Sequence, residues 1–173
     1  MYRRHFLAAM ASSVWALQEV PIDTPFVPTP PEVVDAMLDL AQVQSKDTLY
    51  DLGSGDGRIV IAAARRFQTR GVGIEQNLSL VRTAAGAARK AGVDHLVRFI
   101  QDDLFQTNLA EATVVTLYLL PEVNLALRPK LWRELRPGTR IVSHAFGMGD
   151  WRPRRTVEIQ GAKLFLWVAG AGA

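Results

Sequence analysis

The chain has 173 residues, a length that fits one globular domain with a proper core. Hydrophobic residues make up 49% of the sequence and charged residues 21%, which excludes a disordered chain, and the formal net charge of +3 is too small to indicate nucleic-acid binding by itself. The sequence contains no cysteine, which excludes disulfides, thiolate metal sites and cysteine nucleophiles.

Residues 1–20 differ in character from the rest of the chain. Arg3, Arg4 and His5 precede an uncharged, apolar run over residues 6–17. This run is too short to span a bilayer, which takes about 20 apolar residues. It matches the charged and apolar regions of a signal peptide, and R-R-H-F-L also resembles a twin-arginine export signal. A helix that packs on the domain or on a membrane surface fits the same residues, so both interpretations stay open.

Residues 21–31 contain five prolines and are predicted to be a linker that leads into a domain over residues 32–173. At the boundary, the sequence T-P-P-E fits a capping box, with Thr29 at the N-cap and Glu32 at the third helical position. The pattern predicts a helix that begins there and ends near Gln42.

A glycine-rich turn follows the first predicted strand, which begins near Asp47. The sequence D-L-G-S-G-D-G-R places Asp51 at the end of an apolar run, and a helical pattern follows over residues 59–67. Strand, glycine turn and helix in this order form the first βα unit of an open α/β sheet, in which ligands bind at the carboxyl ends of the strands. The dinucleotide fingerprint G-x-G-x-x-G would require a third glycine at Arg58, so this turn does not match it.

The remaining elements alternate between strands and helices until the chain nears its end. Further strands are predicted over residues 70–75, 97–101, 113–119, 140–146, 156–160 and 163–169, and further helices over 77–91 and 121–136, the last interrupted at Pro129. The short link Gly161-Ala162 between the last two strands forces a hairpin. The pattern predicts an α/β fold: a Rossmann-like, mostly parallel seven-stranded sheet with helices on both faces and a C-terminal β-hairpin.

The spacing G-x-G-x-G directly after Asp-Leu resembles motif I of the class I S-adenosylmethionine-dependent methyltransferases. Within that class, F-V-P-T-P, D-L-F, L-Y-L-L-P and L-R-P-G-T-R-I-V-S-H are similar to the seven-β-strand protein-lysine methyltransferases of mitochondrial inner-membrane proteins and their bacterial relatives. The resemblance covers about residues 25–168. It implies a transferase that uses S-adenosylmethionine and N-methylates a protein lysine by direct in-line methyl transfer.

Acidic residues at the ends of three successive predicted strands indicate where this cofactor binds. Asp51 is expected to hold the cationic amino-acid tail, and Glu75 to accept both ribose hydroxyls. Asp103 lies where class I enzymes bind the adenine amino group, with Asp102 as the competing candidate. The predicted cofactor-binding set is Asp51, Gly53, Ser54, Gly55, Gly57, Glu75, Asp103 and Leu104, and no metal is expected.

The resemblance also implies which residues border the methyl group and the incoming nucleophile. Phe26, Thr29 and Tyr118 are the predicted catalytic residues, with Pro28 beside them. His144 is a candidate base or a wall of the pocket. The chain lacks the Asn/Asp-Pro-Pro-aromatic motif of enzymes that methylate amino groups of bases or side-chain amides, which argues against both of those substrate classes.

Three alternative functions fit parts of the sequence. A nicotinamide-dependent oxidoreductase on a similar sheet would require G-x-G-x-x-G and a base such as Tyr-x-x-x-Lys, and neither is present. A methyltransferase that acts on a small molecule or RNA, and a domain that binds S-adenosylmethionine without catalysis, stay open.

The expected partner is a protein that presents a lysine, with a membrane protein favoured by the resemblance and by the apolar segment over residues 1–20. That segment is a candidate for peripheral membrane contact, and nucleic acid is not expected as a partner. Because S-adenosylmethionine is made in the cytosol, the expected location is the cytoplasm or the cytosolic face of a membrane. Export through the twin-arginine-like signal is the alternative.

Overall fold

The computed structural model of the protein describes residues 26–170, so the predicted signal-like segment and residues 21–25 of the predicted linker lie outside the described residues. The helices are α1 (Pro31–Leu40), α2 (Arg58–Phe67), α3 (Leu78–Lys90) and α4 (Pro121–Glu134). The strands are β1 (Thr48–Leu52), β2 (Arg70–Glu75), β3 (Val97–Gln101), β4 (Val114–Leu117), β5 (Arg140–His144), β6 (Arg155–Ile159) and β7 (Ala162–Val168).

The seven strands form one sheet in the order β3-β2-β1-β4-β5-β7-β6. The first five strands of the chain pair in parallel, whereas β7 runs antiparallel to both β5 and β6. The predicted α/β fold with a C-terminal hairpin is therefore confirmed. Parallel pairing brings the carboxyl ends of β1, β2, β3 and β4 to one edge of the sheet, which is where ligands bind in this class of fold.

The core has two layers because residues along each central strand alternate between the two sheet faces. On one face, α1 and α2 pack with Leu49, Val114 and Val142 of β1, β4 and β5. On the other face, α4 packs with residues that include Val115 and Ile141. Burial on both faces explains why the central strands read as continuous apolar runs. No helix between residues 26 and 170 is long and apolar enough to cross a membrane.

Two local predictions are wrong. The N-cap of α1 is Pro30 and not Thr29, no side chain caps the helix, and α1 ends at Leu40. The Thr29 hydroxyl instead lies 3.3 Å from Nδ1 of His144, a buried long-range contact that replaces the local cap. The predicted break at Pro129 is also absent, since α4 continues through it. The carbonyl that loses its helical partner there belongs to Leu125, an exposed residue whose backbone can turn toward water.

Candidate active site

A cavity of about 480 Å³ opens at the carboxyl edge of the sheet. Its walls come from the glycine loop after β1, the ends of β2, β3 and β4, and residues 26–29, which we call the strap. From the predicted cofactor set, Asp51, Gly53, Ser54, Gly55, Glu75 and Leu104 line the cavity, and from the predicted catalytic set, Phe26, Thr29 and Tyr118 do so. Residues separated by up to 92 positions in the sequence thus converge because the parallel strands end together.

The glycine loop approaches its neighbours too closely for side chains. Gly53 and Gly55 have φ angles of +82° and +52°, which L side chains rarely adopt. A Cβ atom on Gly55 would lie 2.4 Å from the Phe26 ring. Gly57, predicted to bind the cofactor, does not line the cavity; it is the N-cap of α2 and lies against the ring of Phe99. Its role in this structure is to turn the chain and to pack.

Glu75 joins the glycine loop to the start of α3. Its Oε2 accepts a hydrogen bond from the backbone N–H of Gly55 at 3.0 Å, and its Oε1 accepts one from the backbone N–H of Asn77 at 2.9 Å. The carboxylate ends β2 and faces the cavity. It therefore lies where it can also accept hydrogen bonds from a diol bound against the loop.

Asp51 is a buried acid in the wall of the cavity. Burial raises its pKa from 3.8 to about 7, and the negative charges of Glu75 and Asp56 add to this, while the hydrogen bond from Thr116 Oγ1, at 2.7 Å, acts in the opposite direction. A cation bound in the cavity would favour the ionised form of Asp51.

The two acids that follow β3 are placed differently. Asp102 lines the cavity, but its oxygens accept hydrogen bonds from the backbone N–H of Asp103 at 2.8 Å and from Thr107 Oγ1 at 2.6 Å. Asp103 does not line the cavity, and its Oδ1 accepts a hydrogen bond from the backbone N–H of Phe105 at 2.8 Å. The cavity lining thus includes the competing candidate and not the preferred one.

An ion pair that sequence reasoning missed holds the strap against the glycine loop. Arg58 donates to the backbone carbonyl of Thr29 at 3.0 Å and, through Nε and Nη2, to Asp56 at 2.9 and 2.6 Å. Burial of Asp56 opposes its ionisation, but the hydrogen bonds and charge of Arg58 lower its pKa below the usual value. The signal available in the sequence is the D-G-R run that ends motif I, which places an acid and a guanidinium two residues apart.

Behind the strap, an aromatic pair supports the wall. The rings of Tyr118 and His144 lie 3.9 Å apart between centroids and are tilted by 32°. His144 is buried, and burial lowers its pKa, which favours the neutral imidazole at neutral pH. Tyr118 and Thr29 line the cavity, whereas His144 lies behind them and does not. This arrangement makes His144 a support for the wall.

The polar groups of the cavity fit an adenosylmethionine-like ligand. Ser54 lines the cavity, and its Oγ is buried close to Gly73 of β2 without a hydrogen-bond partner among residues 26–170. Glycine backbone, an acid that can take a diol and a buried acid that favours a cation lie along one wall. Together these groups can hold a cationic nucleoside with its amino-acid tail against the loop.

Comparison with known proteins identifies a family match. The sequence model of the ANTKMT methyltransferase domain matches residues 51–155. This range runs from the acid before the glycine loop to the start of β6.

Several curated proteins are similar in sequence. A protein-lysine N-methyltransferase of Saccharolobus islandicus is 42% identical over 151 residues, which cover 84% of this chain and 94% of that protein. A human lysine N-methyltransferase named for an ATP synthase subunit is 34% identical over 75% of this chain, which spans only 54% of that longer protein. The mouse adenine nucleotide translocase lysine N-methyltransferase is 34% identical over 82% of this chain and 65% of its own length.

A solved structure with high similarity is described as an RNA methyltransferase from Salinibacter ruber in complex with S-adenosyl-L-homocysteine. It is 56% identical to this chain, covers 85% of it and 96% of its own length, and superposes with a TM-score of 0.84. The sequence relatives and this structure are thus all described as methyltransferases, but with different acceptors.

Proposed function

The chain belongs to the ANTKMT methyltransferase domain family and is a class I S-adenosylmethionine-dependent methyltransferase, and we propose that it transfers methyl groups to the side-chain amine of a protein lysine. The similarity to the archaeal protein-lysine N-methyltransferase carries this proposal, because it extends over 94% of that protein and not over a shared cofactor motif alone. The relatives named for an ATP synthase subunit and for adenine nucleotide translocase support a protein as the partner.

The charge of the cavity favours a cationic acceptor. Four carboxylates line it, those of Asp51, Asp56, Glu75 and Asp102, against the single guanidinium of Arg58. This negative charge, which is reduced because Asp51 has a pKa of about 7, repels the phosphates of a nucleic acid and attracts a lysine in its ammonium form, which then has to lose its proton to react. RNA is the second candidate, favoured by the description of the Salinibacter ruber relative.

The cofactor supplies an electrophilic methyl group on a sulfonium. Glu75, Asp51 and the Gly53 to Gly55 backbone all line the cavity. Glu75 would accept hydrogen bonds from the ribose hydroxyls, Asp51 would hold the cationic tail, and the glycine backbone would let the nucleoside approach. One of the two carboxylates that follow β3, Asp102 or Asp103, would accept a hydrogen bond from the adenine amino group. We expect the residue that makes this contact to be the one whose change to asparagine weakens adenosylhomocysteine binding more.

The acceptor side of the cavity favours the neutral form of the lysine amine. A free lysine has a pKa of about 10.4 and is protonated at neutral pH, so its lone pair is unavailable. Desolvation lowers that pKa by up to about 3–5 units at full burial. Phe26, Pro28 and Tyr118 supply an apolar wall where this desolvation takes place. Transfer by in-line displacement then depends mainly on the positioning of the amine and on the exclusion of water.

The place of action follows from the cofactor. Because S-adenosylmethionine is made in the cytosol, we place the enzyme in the cytoplasm or on the cytosolic face of a membrane. The apolar run over residues 6–17 supports peripheral membrane contact, and the relative named for adenine nucleotide translocase supports a membrane-bound substrate. Export through the twin-arginine-like signal stays the alternative, and it would separate the enzyme from its cofactor.

A labelled-methyl experiment tests the acceptor. The full chain is incubated with methyl-labelled S-adenosylmethionine and an extract of its own host, and the products are split into portions treated with protease or ribonuclease. We expect label that protease releases and ribonuclease does not, recovered after acid hydrolysis as methylated lysine. The Glu75→Ala variant serves as the control for background transfer. Label found only in RNA or small molecules would overturn the lysine assignment and leave the methyltransferase function intact.

A further inference from the structure

A second cleft lies at the opposite edge of the sheet from the cofactor cavity. It has a volume of about 590 Å³ and is formed where β1, β2, β3 and β4 begin. We call it the amino-edge cleft. Since the strands of the sheet run parallel here, none of the groups that line the cofactor cavity lines this cleft.

The amino-edge cleft concentrates positive charge. Lys46, Arg70, Arg98 and Arg136 line it, and all four are exposed. The single carboxylate in the lining is that of Glu111. The cleft therefore carries a net charge of +3, which equals the formal charge of the entire chain. Cations that are far apart in the sequence therefore lie together where the parallel strands begin.

None of these four cations has its charge neutralised by an ion pair within residues 26–170. The ion pairs within residues 26–170 involve other cations, among them Arg58, Arg66 and Arg140, and none of the four cleft cations forms one. Arg70 and Arg98 lie in strands whose register fixes their positions. Like charges held close together repel one another, and a bound anion removes that cost.

We propose that the amino-edge cleft binds a compact polyphosphate anion, a ligand with two or three linked phosphate groups. Guanidinium groups pair with phosphate oxygens in a bidentate manner, and three of the four cations are arginines. The concave shape focuses their field on a small ligand more than on a flat membrane surface. Among residues 26–170, the only aromatic side chain in the lining is that of His95, with no phenylalanine, tyrosine or tryptophan to stack on bases of a single strand, which favours recognition of the phosphates themselves.

The test uses the full chain and sodium tripolyphosphate as the probe. Calorimetry at low salt measures its affinity for the unaltered chain and for a double variant, Lys46→Gln with Arg136→Gln, whose positions lie outside helices and strands. The matched control is Arg152→Gln with Arg154→Gln, which removes the same charge from positions outside the cleft, also outside helices and strands. We expect saturable binding that weakens about tenfold in the cleft variant and about twofold or less in the control.

Adenosylhomocysteine affinity distinguishes this proposal from the proposed methyltransferase function. We expect the cleft variant to bind adenosylhomocysteine as the unaltered chain does, and tripolyphosphate to bind whether or not adenosylhomocysteine is present. Competition between the two ligands would place tripolyphosphate in the cofactor cavity and overturn the proposal. Equal weakening in both double variants, or absence of binding at millimolar tripolyphosphate, would overturn it as well. Binding of a single-stranded RNA without binding of tripolyphosphate would replace it with a nucleic-acid surface.

Discussion

Among single residues, Asp51 makes the stability of the folded protein depend on pH. In the unfolded chain its carboxyl titrates near 3.8, whereas burial raises the pKa of the folded state to about 7. Between these values the folded protein keeps a proton that the unfolded chain has released, so the free energy of unfolding falls as the pH rises from about 4 to 7. A shift of this size corresponds to roughly 4 kcal/mol.

We therefore expect Asp51→Asn to be more stable than the unaltered chain at pH 8, and the difference to shrink toward pH 5. The measurement is the urea midpoint of both proteins at several pH values without cofactor. The opposing contribution of His144, whose pKa is lowered by burial, cancels in the difference between the two proteins. A difference that stays constant from pH 5 to 8 would show that Asp51 titrates normally.

Glu75 is expected to contribute to cofactor affinity as well as to the position of the glycine loop, where it accepts a hydrogen bond from the backbone N–H of Gly55. Its carboxylate is the predicted acceptor of the ribose hydroxyls, and charge-assisted hydrogen bonds of this kind contribute about 1.5–3 kcal/mol. We expect Glu75→Ala to weaken adenosylhomocysteine binding by about ten- to a hundredfold, as measured by calorimetry. Glu158→Ala, in the exposed part of β6, is the matched control and should leave affinity unchanged. Unchanged affinity in Glu75→Ala would remove this residue from the site.

On the scale of elements, the position of the strap depends on a hydrogen bond from α2. Arg58 at the start of α2 donates to the Thr29 carbonyl, so its loss frees residues 26–29 from the glycine loop. We expect Arg58→Gln to lower methyl transfer, since the wall of the acceptor side becomes mobile, and to speed hydrogen exchange about tenfold in a peptide over residues 26–34, whose hydrogen-bonded amides are those of Val33 and Val34 beside the strap.

The matched control for the strap lies in the same helix. Arg66, in the last turn of α2, forms exposed ion pairs with Asp35 and Asp39 of α1, and pairs of this kind contribute little to stability. Arg66→Gln should leave both exchange in the strap and transfer unchanged. If the two variants behaved alike, the tether through the Thr29 carbonyl would have no effect on the site.

Strand bounds could be predicted from the sequence, whereas contacts between distant residues could not. The bounds of β2 and β3 agree with their predictions, because local hydrophobic runs and the acids that end them specify those strands. The cap of α1 could not be predicted, since Thr29 bonds with a histidine 115 positions away. The amino-edge cleft could not be predicted from the sequence for the same reason. Its cations come from positions 46 to 136, and only the register of the sheet brings them together.

At the scale of the whole molecule, the described part of the chain holds every strand of the sheet and both clefts. All seven strands lie between Thr48 and Val168. We expect a chain that begins at Asp23 to fold and to bind adenosylhomocysteine within about twofold of the full chain, as judged by circular dichroism and calorimetry. Loss of folding in this shortened chain would show that the residues before Asp23 contribute to the core.

The position of β7 has a consequence for how the protein is made on the ribosome. Translation releases β5 and then β6, but β7 is the strand that lies between them in the sheet. Leu164 of β7 also belongs to the apolar layer that covers Val33 and Met37 of α1, near the start of the described chain. Until β7 emerges, the nascent chain thus carries an open edge on β5 and an incompletely covered α1. Completion of the core waits for the release of β7, and a ribosome that stalls before the codon for Ala162 leaves a chain exposed to chaperones and to aggregation.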